Sequence, residues 1–230
     1  MVIQTVIGVG VLVIGTPILL LLDINLIIAI SILLPISIAT SLINLIYFWR
    51  NKKISFKIID QETKKYFFYF CLPCIFVGLY FLKLTSSYFN YNYIVGTVII
   101  LSIIFTTKFN ALTNINKVTK IIYLSVIGVI HGLTNSGGTL LSIFISNKNN
   151  KINSRYNITF FYFFLASFQL ILFLLIFTNE FINIKYIWVI LFCPLTSVVG
   201  NIIQNKISDN KFRKVINFVA VFASLSLFFK

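Results

Sequence analysis

Runs of apolar residues, most of them about as long as a helix that crosses a bilayer, follow one another from end to end of this chain. They cover Val2 to Leu22, Ile24 to Trp49, Tyr66 to Leu84, Tyr91 to Thr107, Ile121 to Ile145, Ile158 to Thr178, Tyr186 to Ile203 and Val215 to Phe229. A hydrocarbon core of about 30 Å takes about 20 helical residues, so the pattern predicts eight hydrophobic segments joined by short loops. Helix is the state that suits them, because each run outlasts a barrel strand and none alternates apolar with polar residues as such a strand must. Tyr47, Trp49, Tyr66, Tyr91, Tyr93, Tyr123, Tyr186 and Trp188 fall near segment ends, where interfacial aromatics belong. The expected fold class is an all-α polytopic membrane protein.

Composition closes the soluble alternatives. Of 230 residues, 59% are hydrophobic and 10% charged, against about 45–50% and about 25% in an average soluble domain. A soluble globular enzyme is excluded, and the spans leave no length for a soluble domain beside them. The formal net charge of +14 would point a soluble protein towards nucleic acid. Here the basic residues lie between the apolar runs, where they set topology and meet anionic lipid, so no nucleic-acid partner is expected. Cys71, Cys74 and Cys193 sit inside apolar runs and imply no disulfide framework. Met1 to Leu22 lacks a basic start and a small-residue cleavage site, and reads as a membrane segment rather than a removable signal.

The basic residues predict orientation, since short cytoplasmic loops carry the Lys and Arg excess. Arg50 to Lys65 holds six, Lys108 to Lys120 three, Lys148 to Arg155 three and Lys206 to Lys214 four, so these loops take 16 of the 19. The Lys83 to Asn90 and Asn179 to Lys185 connections hold one each and read as external. Only Ile121 to Ile145 separates the second basic loop from the third, and a single crossing would put one of them outside. That segment should therefore enter and return. Its middle, His131-Gly-Leu-Thr-Asn-Ser-Gly-Gly138, suits a break: an interior Gly costs a helix about 1 kcal/mol, and Thr, Asn and Ser favour caps and turns. The competing reading is an ordinary spanning helix with small residues on a packing face.

With that segment re-entrant, the following spans run opposite to those after Ile24. This predicts an inverted repeat of two halves, each an interrupted or re-entrant segment plus three transmembrane helices. The halves are residues 1–108 and 119–230, with 109–118 a cytoplasmic linker. The first half opens with its own interrupted segment, Val6-Ile-Gly-Val-Gly10 and then Gly15-Thr-Pro17, and Val126-Ile-Gly-Val129 opens the second in the same way.

Paired interruptions at corresponding positions of two halves point to a transporter's central site. Breaking a helix at membrane depth frees N–H groups at the start of the second half-helix, and these with the positive dipole end bind anions. The candidate substrate-binding residues are Gly8, Gly10, His131, Asn135, Ser136, Gly137, Gly138 and Thr139. No acidic residue lies within a span, since Asp23, Asp60, Glu62, Glu180 and Asp209 sit in loops or at ends, so a carboxylate-driven cation site is not expected. His131, the one histidine, either bonds an anion or carries a proton, or else is a histidine satisfied by backbone beside a glycine turn. Ser37, Thr40, Ser41 and Asn44 on one span, and Ser167 and Gln169 on its counterpart, line a polar path or hold helices together. Cys71-Leu-Pro-Cys74 has dithiol spacing but no helix N-terminus or basic neighbour to stabilise a thiolate. No cofactor, metal or nucleotide motif occurs, so active transport would draw on a gradient, with proton coupling the candidate, or on a partner.

Several of these residues resemble one known family. Gly8-Val-Gly10 followed by Pro17-Ile-Leu19 is similar to the G-x-G-G-G-x-x-x-x-P-x-L motif of the TauE/SafE sulfite exporter family. Gly132-Leu-Thr-Asn-Ser-Gly-Gly138 resembles its second-half G-L-x-G-x-G-G, and Val199 to Arg213 resembles its closing glycine and arginine pattern with Asn201 and Asn205 in place of glycine. Val11 and Leu12 replace two glycines of the first motif, and Asn135 replaces one of the second. The resemblance implies a multi-pass plasma-membrane transporter that exports sulfite, sulfonates or related anions. Two other classes remain beside it: a membrane thiol oxidoreductase or assembly factor using Cys71 and Cys74, and a non-transporting membrane partner protein.

Overall fold

The protein was described from a computed structural model, which covers residues 1–7, 11–51, 59–108, 116–146, 151–178, 184–206, 208, 218, 221–222 and 224–229. The described residues are helical, without a strand. In chain order the helices are α1 (Val2–Ile7), α2 (Val11–Leu21), α3 (Leu26–Asn51), α4 (Gln61–Tyr66), α5 (Leu72–Thr85), α6 (Tyr91–Lys108), α7 (Lys117–Thr134), α8 (Gly138–Ser146), α9 (Lys151–Ile176) and α10 (Cys193–Lys206). A π-helical turn, Phe67–Cys71, joins α4 to α5, and 3₁₀ stretches cover Ile184–Phe192 and Leu227–Phe229. Gly8, Gly10, most of the 109–118 linker and part of the last apolar segment lie outside the described residues.

Polar side chains are buried among the hydrophobic core while large apolar ones face outward. Gln4, Thr5, Ser37, Thr40, Ser41, Asn44, His131, Asn135 and Gln169 are buried, while Leu175, Trp188, Leu195 and Phe222 are 64–70% exposed. Water would reverse that order; lipid demands it, because polar side chains at membrane depth turn to the bundle interior. Among the described residues, four stretches are long and apolar enough to span a bilayer: Leu26–Arg50, Gln61–Thr85, Lys117–Thr134 and Asn153–Ile176. The chain is a multi-pass all-α membrane protein.

Length alone makes α7 a span, but its surroundings show that it does not carry the chain across. The Tyr123 ring stacks on Phe144 at 5.5 Å between centroids, and the Tyr123 hydroxyl donates to the Leu140 carbonyl at 3.3 Å. A straight helix would hold residues 123 and 144 about 31 Å apart at 1.5 Å per residue. The chain therefore doubles back at residues 135–137, and α8 returns beside α7.

Contacts at the helix ends bring the flanks of the first three basic loops together. The Lys120 ammonium, at the start of α7, meets Glu62 at 2.5 Å and Asp60 at 3.8 Å, at the start of α4. Partial burial works to raise the Asp60 carboxyl, but the Thr63 hydroxyl, Lys120 and two backbone N–H groups outweigh it and hold it below the usual carboxylate range. The C-terminal end of α3 meets the N-terminal end of α9, with Phe48 edge-on to Tyr156 at 5.9 Å and Arg155 over the Phe48 ring at 5.1 Å. At the opposite end Lys83 donates to the Ile176 carbonyl at 2.9 Å. There the α2–α3 and α5–α6 turns line a cavity of about 310 Å³ with Asp23, Asn25, Ser86 and Tyr91.

Neighbours in the bundle exchange between the front and back of the chain. α2 packs along α3 and α8 along α9; α5 packs along α7 and α10 along α1; α6 meets α8, and Leu227–Phe229 meets α2; α3 and α9 pack on each other. The α5–α7 contact is backbone-close. A Cβ on Gly78 would stand 2.2 Å from the Val129 carbonyl oxygen, one on Gly128 2.1 Å from that of Cys71, and one on Gly132 2.3 Å from that of Ile75. Gly132 is thus a small residue on a packing face, within α7, and not part of the break in which the sequence pattern had placed it.

Gly78→Ala should lower the unfolding midpoint of the detergent-solubilised protein markedly, because the methyl group meets backbone on a rigid helix and overpacking costs about 1–3 kcal/mol. Gly15→Ala is the contrast: its Cβ would meet the end of the Leu33 side chain at 2.8 Å, which can rotate away. Equal losses in the two variants would show that the α5–α7 approach is not a tight constraint.

Candidate functional site

The break begins where α7 runs out of helix-compatible geometry. Asn135 caps α7 in the left-handed conformation, φ 62°, and its N–H donates to the His131 carbonyl at 2.8 Å. Apart from glycine, asparagine is the residue that takes this conformation most readily, which accounts for Asn at a position where the resembled motif has Gly. Short polar side chains stitch the turn to itself. The Thr134 hydroxyl donates to the Ile130 carbonyl at 2.8 Å, the Ser136 N–H donates to the Thr134 hydroxyl at 3.3 Å, and the Thr139 hydroxyl donates to the Ser136 carbonyl at 3.0 Å.

Two glycines then admit the chain to a space that no side chain would fit. A Cβ on Gly137 would stand 2.7 Å from both the Ile127 carbonyl oxygen and His131 Cβ, and one on Gly138 would stand 2.3 Å from Tyr162 Cε2 on α9. α8 starts there with its N-terminus buried in protein. Among the described residues no acceptor meets the N–H of Gly137 or Gly138.

Around that N-terminus stand polar groups with unused bonding capacity. His131 is fully buried, neither ring nitrogen has a protein partner, and its ring lies 6.3 Å from that of Tyr162. Gln169 on α9 donates its amide N–H to the His131 carbonyl at 3.2 Å, the same oxygen that receives the Asn135 N–H. The Gln169 Oε1 is buried without a protein partner, and so is the Asn135 Oδ1. The Asn135 amide nitrogen donates to the Thr16 hydroxyl on α2 at 3.2 Å, tying the break to the opening segment of the chain.

Of the sequence-predicted site, His131, Asn135, Ser136, Gly137, Gly138 and Thr139 come together here, and Thr139 alone among the three polar break residues Asn135, Ser136 and Thr139 is partly exposed. Gln169 joins them, whereas Ser167 is only half-buried. Ser37, Ser41 and Asn44 belong to a second polar cluster, on α1. Gln4 donates to the Ser37 carbonyl at 2.9 Å and the Ser41 hydroxyl at 2.7 Å, and Asn44 donates to the Thr5 hydroxyl at 3.3 Å. Thr40 lies instead against Cys193, at 3.5 Å.

Arg155 changes role. Its position after Lys148 and Lys151 marks a loop charge that only sets topology, but α9 starts before it, and the buried guanidinium donates to the Thr5 carbonyl of α1. Arg155, Gln4, Tyr162 and Thr16 are the site-region residues that the sequence reading missed. For Gln4 a signal was present, as it is the first polar residue inside the opening apolar run; for Tyr162, inside a phenylalanine-rich run, there was none. Cys71 and Cys74 are free thiols, and Cys71 is buried with its carbonyl against Gly128.

The family described as Sulfite exporter TauE/SafE matches residues 1–227, nearly the full length. The chain belongs to this family. No curated protein and no solved structure matches it. Membership makes it a multi-pass membrane transporter whose substrate is a small anion, and a buried helix N-terminus with unmet N–H groups suits such a cargo.

Asn135→Gly should leave the break intact, while Asn135→Val should lose about 1–3 kcal/mol of stability, the strain of a β-branched residue held at positive φ. Thermal unfolding of the two purified variants tests it. A valine variant as stable as the glycine variant would mean that the cap does not need the left-handed conformation.

Proposed function

We propose that the protein exports a small anion, such as sulfite or an organosulfonate, across the plasma membrane, and that the anion binds at the N-terminus of α8 among His131, Asn135, Ser136, Gly137, Gly138 and Thr139. The observation that carries this reading is a helix started inside the protein with its first N–H groups unmet. Such groups persist at membrane depth only where they face a ligand or a polar cavity. Gly8 and Gly10 form the corresponding first-half site in this reading.

Residues 1–108 and 119–230 act as inverted halves, joined by 109–118, and alternating access follows from rocking of one half against the other. Three observations support the halves. The larger packing pairs between helices have counterparts with front and back of the chain exchanged, such as α5 on α7 and α10 on α1, or α5 on α9 and α10 on α3. The C-terminal end of α3 meets the N-terminal end of α9, as two equivalent helices of opposite direction would. Both are 26 residues long, and Asn44 and Gln169, each the nineteenth residue of its helix, are buried with an amide oxygen unpartnered.

Flux of radiolabelled sulfite and of a short sulfonate in proteoliposomes, with and without an imposed proton gradient, tests the function. Wild-type protein should carry one or both, and Gly137→Val should abolish flux while still inserting, since its side chain would meet the Ile127 carbonyl and His131. Normal flux in that variant would remove the break from the mechanism. A proton gradient should accelerate wild-type flux, and His131→Ala should lose that acceleration; an unchanged response would make His131 structural. Single cysteines at Asn116 and Asn153, in a chain stripped of its own, should label from the same side of the membrane. Labelling from opposite sides would sink the inverted arrangement.

A further inference from the structure

The break offers more than anion donors. Beside the N–H groups of Gly137 and Gly138 it holds two buried amide oxygens, Gln169 Oε1 and Asn135 Oδ1, with no protein partner. The orientation of the Gln169 amide is fixed by chemistry: its other end faces the His131 backbone carbonyl at 3.2 Å, an atom that only accepts, so the nitrogen must point there and the oxygen away. That same carbonyl receives the Asn135 N–H. Gln169 and the turn of the break therefore meet at one atom, and the unpaired oxygen belongs to the same small region as the unpaired N–H groups.

A ligand with acceptors only, such as a simple sulfonate, answers the N–H groups and leaves the amide oxygens bare. A buried acceptor without a donor carries its desolvation cost unreturned, and a site built to bond a substrate's own hydrogen rejects analogues that lack it. A carboxylate at residue 169 would also accept, but it would repel an anion. Glutamine supplies the acceptor without the charge.

Resting on the reading of the break as the anion site, we propose that it selects anions carrying a hydrogen-bond donor of their own, a protonated oxyanion or a sulfonate with a hydroxyl or amino group, over anions that only accept. Gln169 Oε1 is the specificity-determining acceptor, with Asn135 Oδ1 beside it.

The test uses two probes of equal charge and nearly equal size, ethanesulfonate and 2-hydroxyethanesulfonate, added to the detergent-purified full chain while its unfolding midpoint is followed. Binding to the folded state raises that midpoint by an amount set by the ratio of ligand concentration to Kd. An equal rise should come at about tenfold lower concentration of the hydroxylated probe. Gln169→Met, which keeps the length and removes the acceptor, should bring the ratio close to one. Equal rises at equal concentrations of the two probes in the wild type overturn the proposal while the anion site stands, and so does a preference that survives Gln169→Met. Stabilisation by neither probe overturns the anion reading and the proposal with it. Should the variant fail to fold, the wild-type ratio decides alone.

Discussion

A helix interrupted in hydrocarbon exposes N–H and C=O groups that lipid cannot satisfy, each at a cost of several kcal/mol. The arrangement of this bundle follows from having to enclose one such interruption, at residues 135–137. α5 lies against α7 so closely that three glycines have no room for a methyl group. α9 closes the other side, with the Tyr162 ring against Gly138 and the Gln169 amide on the His131 carbonyl, and α2 reaches the turn through Thr16. Lipid is thereby kept from the break by protein on every side that these helices cover.

The positive charges do the complementary work at the ends. Because α8 returns beside α7, the helix ends that flank the second and third basic loops lie together, and the Lys120 contacts with Asp60 and Glu62 bring in the first. An exposed ion pair contributes little, but Lys120 is buried to 4% exposure while its carboxylate partners remain accessible. A cation in that position needs its partners, and the contact fixes the base of the doubled-back segment against the front half of the chain.

The fold class could be read from the sequence because hydropathy and charge placement report on a one-dimensional quantity, depth in the membrane. The doubling back of Lys117 to Ser146 was legible for the same reason: one crossing too few between two basic loops. Within a span, however, hydropathy does not say which neighbour a residue meets. Gly132 and Gly137 are alike in composition and five residues apart, yet one packs α7 on α5 and the other sits in the break. Arg155 likewise looked like part of a basic loop, because a helix that begins outside the apolar run shows no hydropathy signal until Ile158. Which of several polar residues converge is a property of crossing helices, and only the three-dimensional arrangement separates Gln169 at the break from Ser167 two residues before it.

The enclosed polar groups of the described residues include amides and hydroxyls but no acid. A buried carboxylate opposite an anion would add repulsion to its own desolvation, whereas an amide brings a donor and an acceptor at no net charge. Gln169 uses its donor on the His131 backbone, and Asn44, like it the nineteenth residue of a 26-residue helix, uses its donor on Thr5. Each keeps an oxygen in reserve. The two amides are alike in burial, helix position and unused atom, and they stand on helices that run in opposite directions. Only one of the two clusters adjoins a buried cation, Arg155. That guanidinium biases the α1 cluster towards negative charge, while the amides of the break bring no charge of their own.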